Sequence, residues 1–380
     1  PVASTSAIAW FEMQPDLILI YTGHNEYYGA LGVGSSVNMG YSRALVNFYL
    51  SIRDFRTTQF LQNIISGVFG IFKSVGLNGS ENKETLMSRM IGESLIPFNS
   101  EMFNNGIDQF KGNLDDIFKI FSDKNIPVVI GNLTFNAKDQ KPFVSLKDGK
   151  NPAADDVYLN AQREYESGNF EKANQLFMKA KELDALRFRA PQKINDAIYD
   201  LAKKYNLSVV NVDSVFQSNS PNGIVGSNLM VDHLHPTFAG YRILGDAYFK
   251  KMLDLDLLPS GLRASISESN ADSILKVNFP FTRLDSTVAE MKVIQLKGSY
   301  PFVPKGTLNY KMLTFKPKDL VDTLAIELIN NDIPWESAHG LLSDYYFKKG
   351  DYANCIKEIA VIIAERPSYD IPYKDLISKL

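Results

Sequence analysis

A chain of 380 residues with 45% hydrophobic, 22% charged and 12% aromatic residues has a globular balance and length for two or three domains, which argues against disorder. Forty Lys and Arg against 43 Asp and Glu leave a net charge of −3, without the basic excess that a nucleic-acid partner requires. A single cysteine, Cys355, excludes an intrachain disulfide and a Cys-built zinc site. No apolar run approaches the ~20 residues that span a bilayer, so no transmembrane segment is expected. The chain opens on Pro1 and not on Met, which sets the expectation of a processed or truncated product.

In chain order, residues 7–13 read as the end of a helix that Pro15 and Asp16 break. Leu17-Ile18-Leu19-Ile20-Tyr21 is a continuous apolar run, the pattern of a central parallel strand buried on both faces. It ends in the polar Thr22-Gly23-His24-Asn25-Glu26, at the strand end where open α/β sheets place ligands. Residues 30–99 hold a Gly- and Ser-rich loop and helical stretches at 44–55, 59–72 and 84–91. Seventy residues exceed a simple crossover, so this segment is read as an elaboration over the strand ends, in the position of a lid. An amphipathic helix at 107–121 precedes a second strand at 127–132, and a helix at 194–205 precedes a third at 207–213. Helix followed by strand, repeated, predicts a parallel sheet with helical crossovers.

Residues 155–184 predict a helical hairpin, with Tyr158, Ala161 and Tyr165, then Gly168-Asn169-Phe170, then Ala173, Phe177, Ala180 and Leu183. The register returns near the carboxyl terminus with Leu342, Tyr346, Gly350-Asp351-Tyr352, Cys355, Ile359 and Ile362. This spacing resembles the tetratricopeptide repeat, in which small residues let the second helix pack closely. One repeat cannot bury its own face, which implies a longer array and a protein partner for it. Pro residues at 280 and in 300–305 read as a linker. The expected divisions are 1–154 and 191–258 as two parts of one α/β domain, a hairpin insertion at 155–190, an irregular linker at 259–315 and a helical repeat at 316–380.

Two segments carry chemistry. The first is Gly23-His24-Asn25-Glu26; the second is Asp232-His233-Leu234-His235-Pro236, just before a helix at 237–249. Acyl transfer needs a nucleophile, a base, a group that orients the base and donors aimed at the oxyanion. His235 suits the base because imidazole titrates near neutrality. Asp232, three residues earlier, can reach its other ring nitrogen. Asn25 offers an uncharged amide to an oxyanion, and Gly23 leaves room for substrate. Capping is the ordinary alternative: Asn25 and Glu26 at a turn, Asp232 and His235 ahead of a helix. His24 and His233 are read as pocket-lining or solvated. Asp232, His233 and His235 are also metal-ligand types, but a three-His set would need His24 as well, and neither a metal nor any other cofactor is expected.

Taken together, Gly23-x-Asn25 and Asp232-x-x-His235 resemble blocks III and V of the SGNH (GDSL-type) hydrolases. The resemblance implies a three-layer α/β/α, flavodoxin-like parallel sheet and an esterase or O-acyltransferase acting on a short acyl ester, with a carbohydrate or envelope polymer as the expected carrier. In that family the nucleophilic Ser lies in block I, on the loop after the first strand, well before block III. Only 22 residues precede Gly23, so the expectation is a chain that lacks its first strands and its nucleophile and is inactive as it stands, with Ser4 and Ser6 as helix caps. The segment around Gly23, Arg187-Phe188-Arg189-Ala190-Pro191 and the terminal repeat are similar to a bacterial group of SGNH proteins fused to tetratricopeptide repeats, which implies an envelope location. Arg187 and Arg189 are candidates to bind an anionic group, with ion pairing as the ordinary alternative. The competing function is a repeat-based scaffold with a degenerate SGNH domain.

Overall fold

A computed structural model describes residues 14–29, 32–34, 43, 95–147, 149–258, 273–274 and 279–379. The expected helix end at 7–13, Ser4, Ser6 and the helical stretches at 44–55, 59–72 and 84–91 lie outside the described residues. The chain divides into two compact units, Pro1–Leu258 and Pro259–Leu380. Among the described residues no helix is long and apolar enough to cross a membrane.

The first unit holds a small sheet of three parallel strands in the order β1 (Ile18–Ile20), β2 (Val128–Gly131) and β3 (Ser208–Val210). Ile18 pairs with Val128 and Ile20 with Ile130, while Val129 pairs with Ser208. β2 is buried along its whole length, and the period of two divides it between the faces. Val128 and Ile130 join a core with Phe110, Phe118, Ile194 and Ile198, contributed by α1 (Glu101–Asp123) and α4 (Gln192–Lys204). Val129 joins Phe216 and Tyr248 on the opposite face, which come from α5 (Val212–Ser218) and α6 (Phe238–Asp254). Helices thus cover both faces of the sheet, an α/β arrangement with three layers.

Two strand expectations need correction. β1 buries Ile18 and Ile20, but Leu19 is 48% exposed; among the described strands β2 is the central one, so β1 is not buried on both faces. The third apolar run leaves the sheet at Val210, and Val212 and Asp213 begin α5. Asn132 accounts for this turn, since its side-chain oxygen accepts the N–H of Asp213 at 3.1 Å, fixing the first turn of α5 beside the end of β2.

Between β2 and α4 the chain forms the hairpin of α2 (Ala154–Glu166) and α3 (Phe170–Leu183). Ala161, Ala173 and Ala180 are fully buried, and these small side chains let the helices approach closely. Gly168, at φ +82°, makes the reversal between them, a conformation that glycine adopts without strain. The hairpin packs Val157, Tyr158 and Phe177 onto Phe135 and Ala137, just beyond β2.

The second unit is helical: α7 (Arg283–Lys297), α8 (Tyr310–Leu313), α9 (Leu320–Asn330), α10 (Trp335–Lys348), α11 (Tyr352–Glu365) and α12 (Asp370–Lys379). Leu284 and Met291 of α7 pack with Val321, Leu324 and Ala325 of α9 and Ala338 and Leu342 of α10. The segment 259–315, expected to be irregular, therefore contains a 15-residue helix that shares this core. Its amino end carries a capping box in which Thr282 and Asp285 satisfy each other's backbone N–H groups. Thr-x-x-Asp was the available sequence signal.

Candidate active site

The loop after β1 turns sharply at Gly23, whose φ is +137° and whose added Cβ would stand 2.7 Å from Leu133 Cδ1 and 3.0 Å from Ile194 Cγ2. Only glycine fits both the conformation and the space. The turn sends His24 inward. Its Nδ1 accepts the N–H of Ala190 at 3.3 Å, so the neutral ring carries its hydrogen on Nε2. Burial, assisted by the Lys181 charge, lowers its pKa to about 4. Asn25 is exposed and Glu26 half-buried, and burial raises the Glu26 carboxyl.

The second segment is a tight loop between α5 and α6. Val231 N–H donates to His235 O at 2.8 Å, and Thr237 N–H to Leu229 O at 2.8 Å. Within it Asp232 is buried. Its Oδ1 accepts the N–H groups of Leu234 at 2.9 Å and His235 at 2.8 Å, and its Oδ2 lies 2.7 Å from His235 Nδ1. Burial favours the neutral acid, but the bond to His235, the nearby His233 and these two backbone N–H groups outweigh it and hold the Asp232 pKa at about 2. An ionised Asp232 can only accept, so Nδ1 of His235 bears the hydrogen and Nε2 is left as a base. The same bond raises the His235 pKa. The His235 side chain is 55% exposed, so the pair has one sealed end and one open end. Such an arrangement can take a proton at Nε2 and return it.

Neither Asp232 nor His235 caps α6. Thr237 does so, its Oγ1 accepting the Gly240 N–H at 3.1 Å, and the capping alternative for Asp232 and His235 is thereby replaced. His233, unlike His235, is enclosed by the protein. It is buried with the Phe143 and Phe188 rings at 5.3 and 5.6 Å, and burial, against the pull of Asp232, lowers its pKa to about 3. Both His24 and His233 are therefore buried, not solvated. His24 lies within electrostatic reach of Asp232 and His235, which joins the two segments.

Arg187 and Arg189, the anion-binding candidates, lie inside the protein. Arg187 donates to Ile96 O at 3.0 Å and Glu182 O at 2.5 Å. Arg189 donates to Asn136 O at 3.1 Å and Gln140 O at 2.8 Å and pairs with Asp184 at 3.2 Å. Asp184 also accepts the N–H groups of Phe143, Val144 and Leu186. These charges tie the end of α3 to the loop after β2.

Residues missed by sequence reasoning are the supports. Asn136 donates from its side chain to Asp232 O at 3.0 Å and from its backbone to His233 O at 3.0 Å, which pins the loop that carries the pair. Lys181 is buried over the Phe135 ring at 4.6 Å, donates to Ala190 O at 3.0 Å and pairs with Glu182. Its only signal was a lysine four residues after Phe177 on the apolar face of α3. Among the described residues no hydroxyl is hydrogen-bonded to His235 Nε2, and no group of His, Cys, Asp and Glu is arranged to hold a metal ion.

The parallel sheet covered by helices makes the first unit an α/β domain, with an Asp–His pair on the loop before α6. Within that class, residues 97–248 match the family model of the GDSL-like lipase/acylhydrolases, a domain that supports a general esterase or acylhydrolase function. The match takes in β2, β3 and Asp232 to His235, and leaves Gly23 to Glu26 outside. No curated protein and no solved structure matches the chain.

Proposed function

We propose that the first unit is the acid–base half of a serine acyl-ester site, acting by hydrolysis or by acyl transfer on a short acyl ester of a carbohydrate or envelope polymer. The observation that carries this reading is the 2.7 Å contact of Asp232 Oδ2 with His235 Nδ1, with Asp232 held ionised and the far edge of the ring open. In this reading His235 removes the proton of a serine as it attacks the ester carbonyl and returns it to the leaving alcohol, while Asp232 fixes the tautomer and stabilises the imidazolium. Asn25 donates to the developing oxyanion, a role whose loss costs about 3 kcal/mol of transition-state stabilisation. Gly23 keeps a side chain out of the turn, and His24, Glu26 and His233 shape the wall.

A second reading, a scaffold with a degenerate site, is favoured by the α2–α3 and α10–α11 hairpins, which share the register read as tetratricopeptide-like, and by the lack of a hydroxyl on His235 among the described residues. Fluorophosphonate labelling of the protein with peptide mapping separates the two. The enzyme reading expects one labelled serine, lost on His235→Ala in a protein that keeps its circular dichroism. A folded protein that takes no label supports the scaffold.

A further inference from the structure

The second unit contains a cavity of about 370 Å³ between the start of α7, the start of α10 and the end of α11. Its apolar walls are Phe281, Trp335 and Val361, and its polar groups are Asp285, Glu365 and Arg366. Arg366 is already paired with Glu336 at 2.5 Å. Behind the wall, His339 is wholly buried, with Nδ1 2.5 Å from Glu358 and Nε2 3.3 Å from Asp285. Both ring nitrogens face carboxylates, which favours the imidazolium form. Even with His339 protonated, the four acids Asp285, Glu336, Glu358 and Glu365 outnumber that imidazolium and the Arg366 guanidinium. Two negative charges remain in excess. The amino ends of α7 and α10 each bring about half a positive charge and the carboxyl end of α11 about half a negative one, which leaves the balance negative.

The form of the negative charge matters. Asp285 Oδ1 accepts the Trp335 indole N–H at 3.1 Å and faces His339, while Oδ2 accepts the Thr282 N–H at 2.8 Å and its hydroxyl at 3.1 Å. Its lone pairs are spent, and a small metal ion would find few open ligands. A large, weakly hydrated cation needs no such ligands. It is attracted to the faces of indole and phenyl rings and to diffuse negative charge, and the volume suits a small organic group. We propose that this cavity binds an organic ammonium ion, seated on Trp335 and Phe281 with Glu365 at its rim.

The ammonium can come from a free alkylamine or from a lysine side chain of a protein partner. Trp335 reports directly, because the chain has two Trp and a Trp10→Phe background leaves it as the sole indole. Choline, its uncharged isostere 3,3-dimethylbutan-1-ol and N-acetyl-lysine methylamide are each titrated against the full chain. The expected result is a saturable fluorescence change with choline or the lysine amide, and binding of the isostere at least fivefold weaker. Phe281→Leu and Glu365→Gln, both at exposed side chains, should each weaken the cation about two- to fivefold, the range for exposed cation–π contacts, and leave the isostere unchanged. The tighter of the two cations identifies the source. No saturable response to either cation, or an isostere that binds as well as choline, overturns the proposal.

Discussion

Replacing Asp232 with Asn removes the charge behind His235 while keeping the side chain's size. Burial alone would raise the Asp232 pKa, yet three donors and the neighbouring His233 bring it from 3.8 to about 2, a preference for the ionised form of about 2.4 kcal/mol. Because burial opposes ionisation, the three donors and His233 together supply more than this net figure, and the 55% exposure of the His235 side chain keeps its share near that of a screened pair. Linkage requires the same energy to favour the imidazolium. His235 in the variant therefore titrates lower, back toward the ordinary imidazole range. The assay is an NMR titration of the ring Cε1–H resonances, four histidines in all, assigned with His→Gln variants. In the unmodified chain His235 is expected above 6.5, His24 near 4 and His233 near 3. A His235 that titrates at or below 6.5, or that does not move in Asp232→Asn, refutes the coupled pair and with it the base assigned to the site.

Gly23→Ala forces a side chain into φ +137° and against Leu133 and Ile194, both buried, so it should cost about 2–4 kcal/mol from backbone strain and overpacking; an unchanged urea midpoint would refute the fit. In the second unit, Asp285 and Glu358 outweigh burial and raise the His339 pKa. A raised base stabilises the fold fully below its unfolded value of 6.5, and that contribution is lost as pH rises through the folded value. Thermal melting followed by Trp335 fluorescence in the Trp10→Phe background should therefore show a midpoint that declines above pH 6.5, and His339→Gln should flatten that decline.

Local pattern in the sequence decided the elements. Apolar runs placed β1 and β2, helical spacing placed α1 and α4, and Gly168 and Gly350 marked the two hairpin reversals, where both adopt positive φ. It also singled out Asp232 and His235, because a carboxylate three residues before an imidazole can close on it without help from distant chain. What the sequence left open depended on contacts between residues far apart. Asp285 and the α7 helix hide in a segment whose prolines suggest a linker, and only packing against α9 and α10 gives that helix a core. That Arg187 and Arg189 are buried and donate to carbonyls and Asp184 shows only in the fold. His24, 166 residues from Ala190, becomes a buried neutral ring only when Gly23 turns it inward. Side-chain type and spacing are properties of the chain, whereas desolvation and the charges that offset it belong to whatever the fold brings alongside. For that reason the Asp232–His235 pair was legible in one dimension, and its sealed carboxylate, open imidazole and Asn136 support required three.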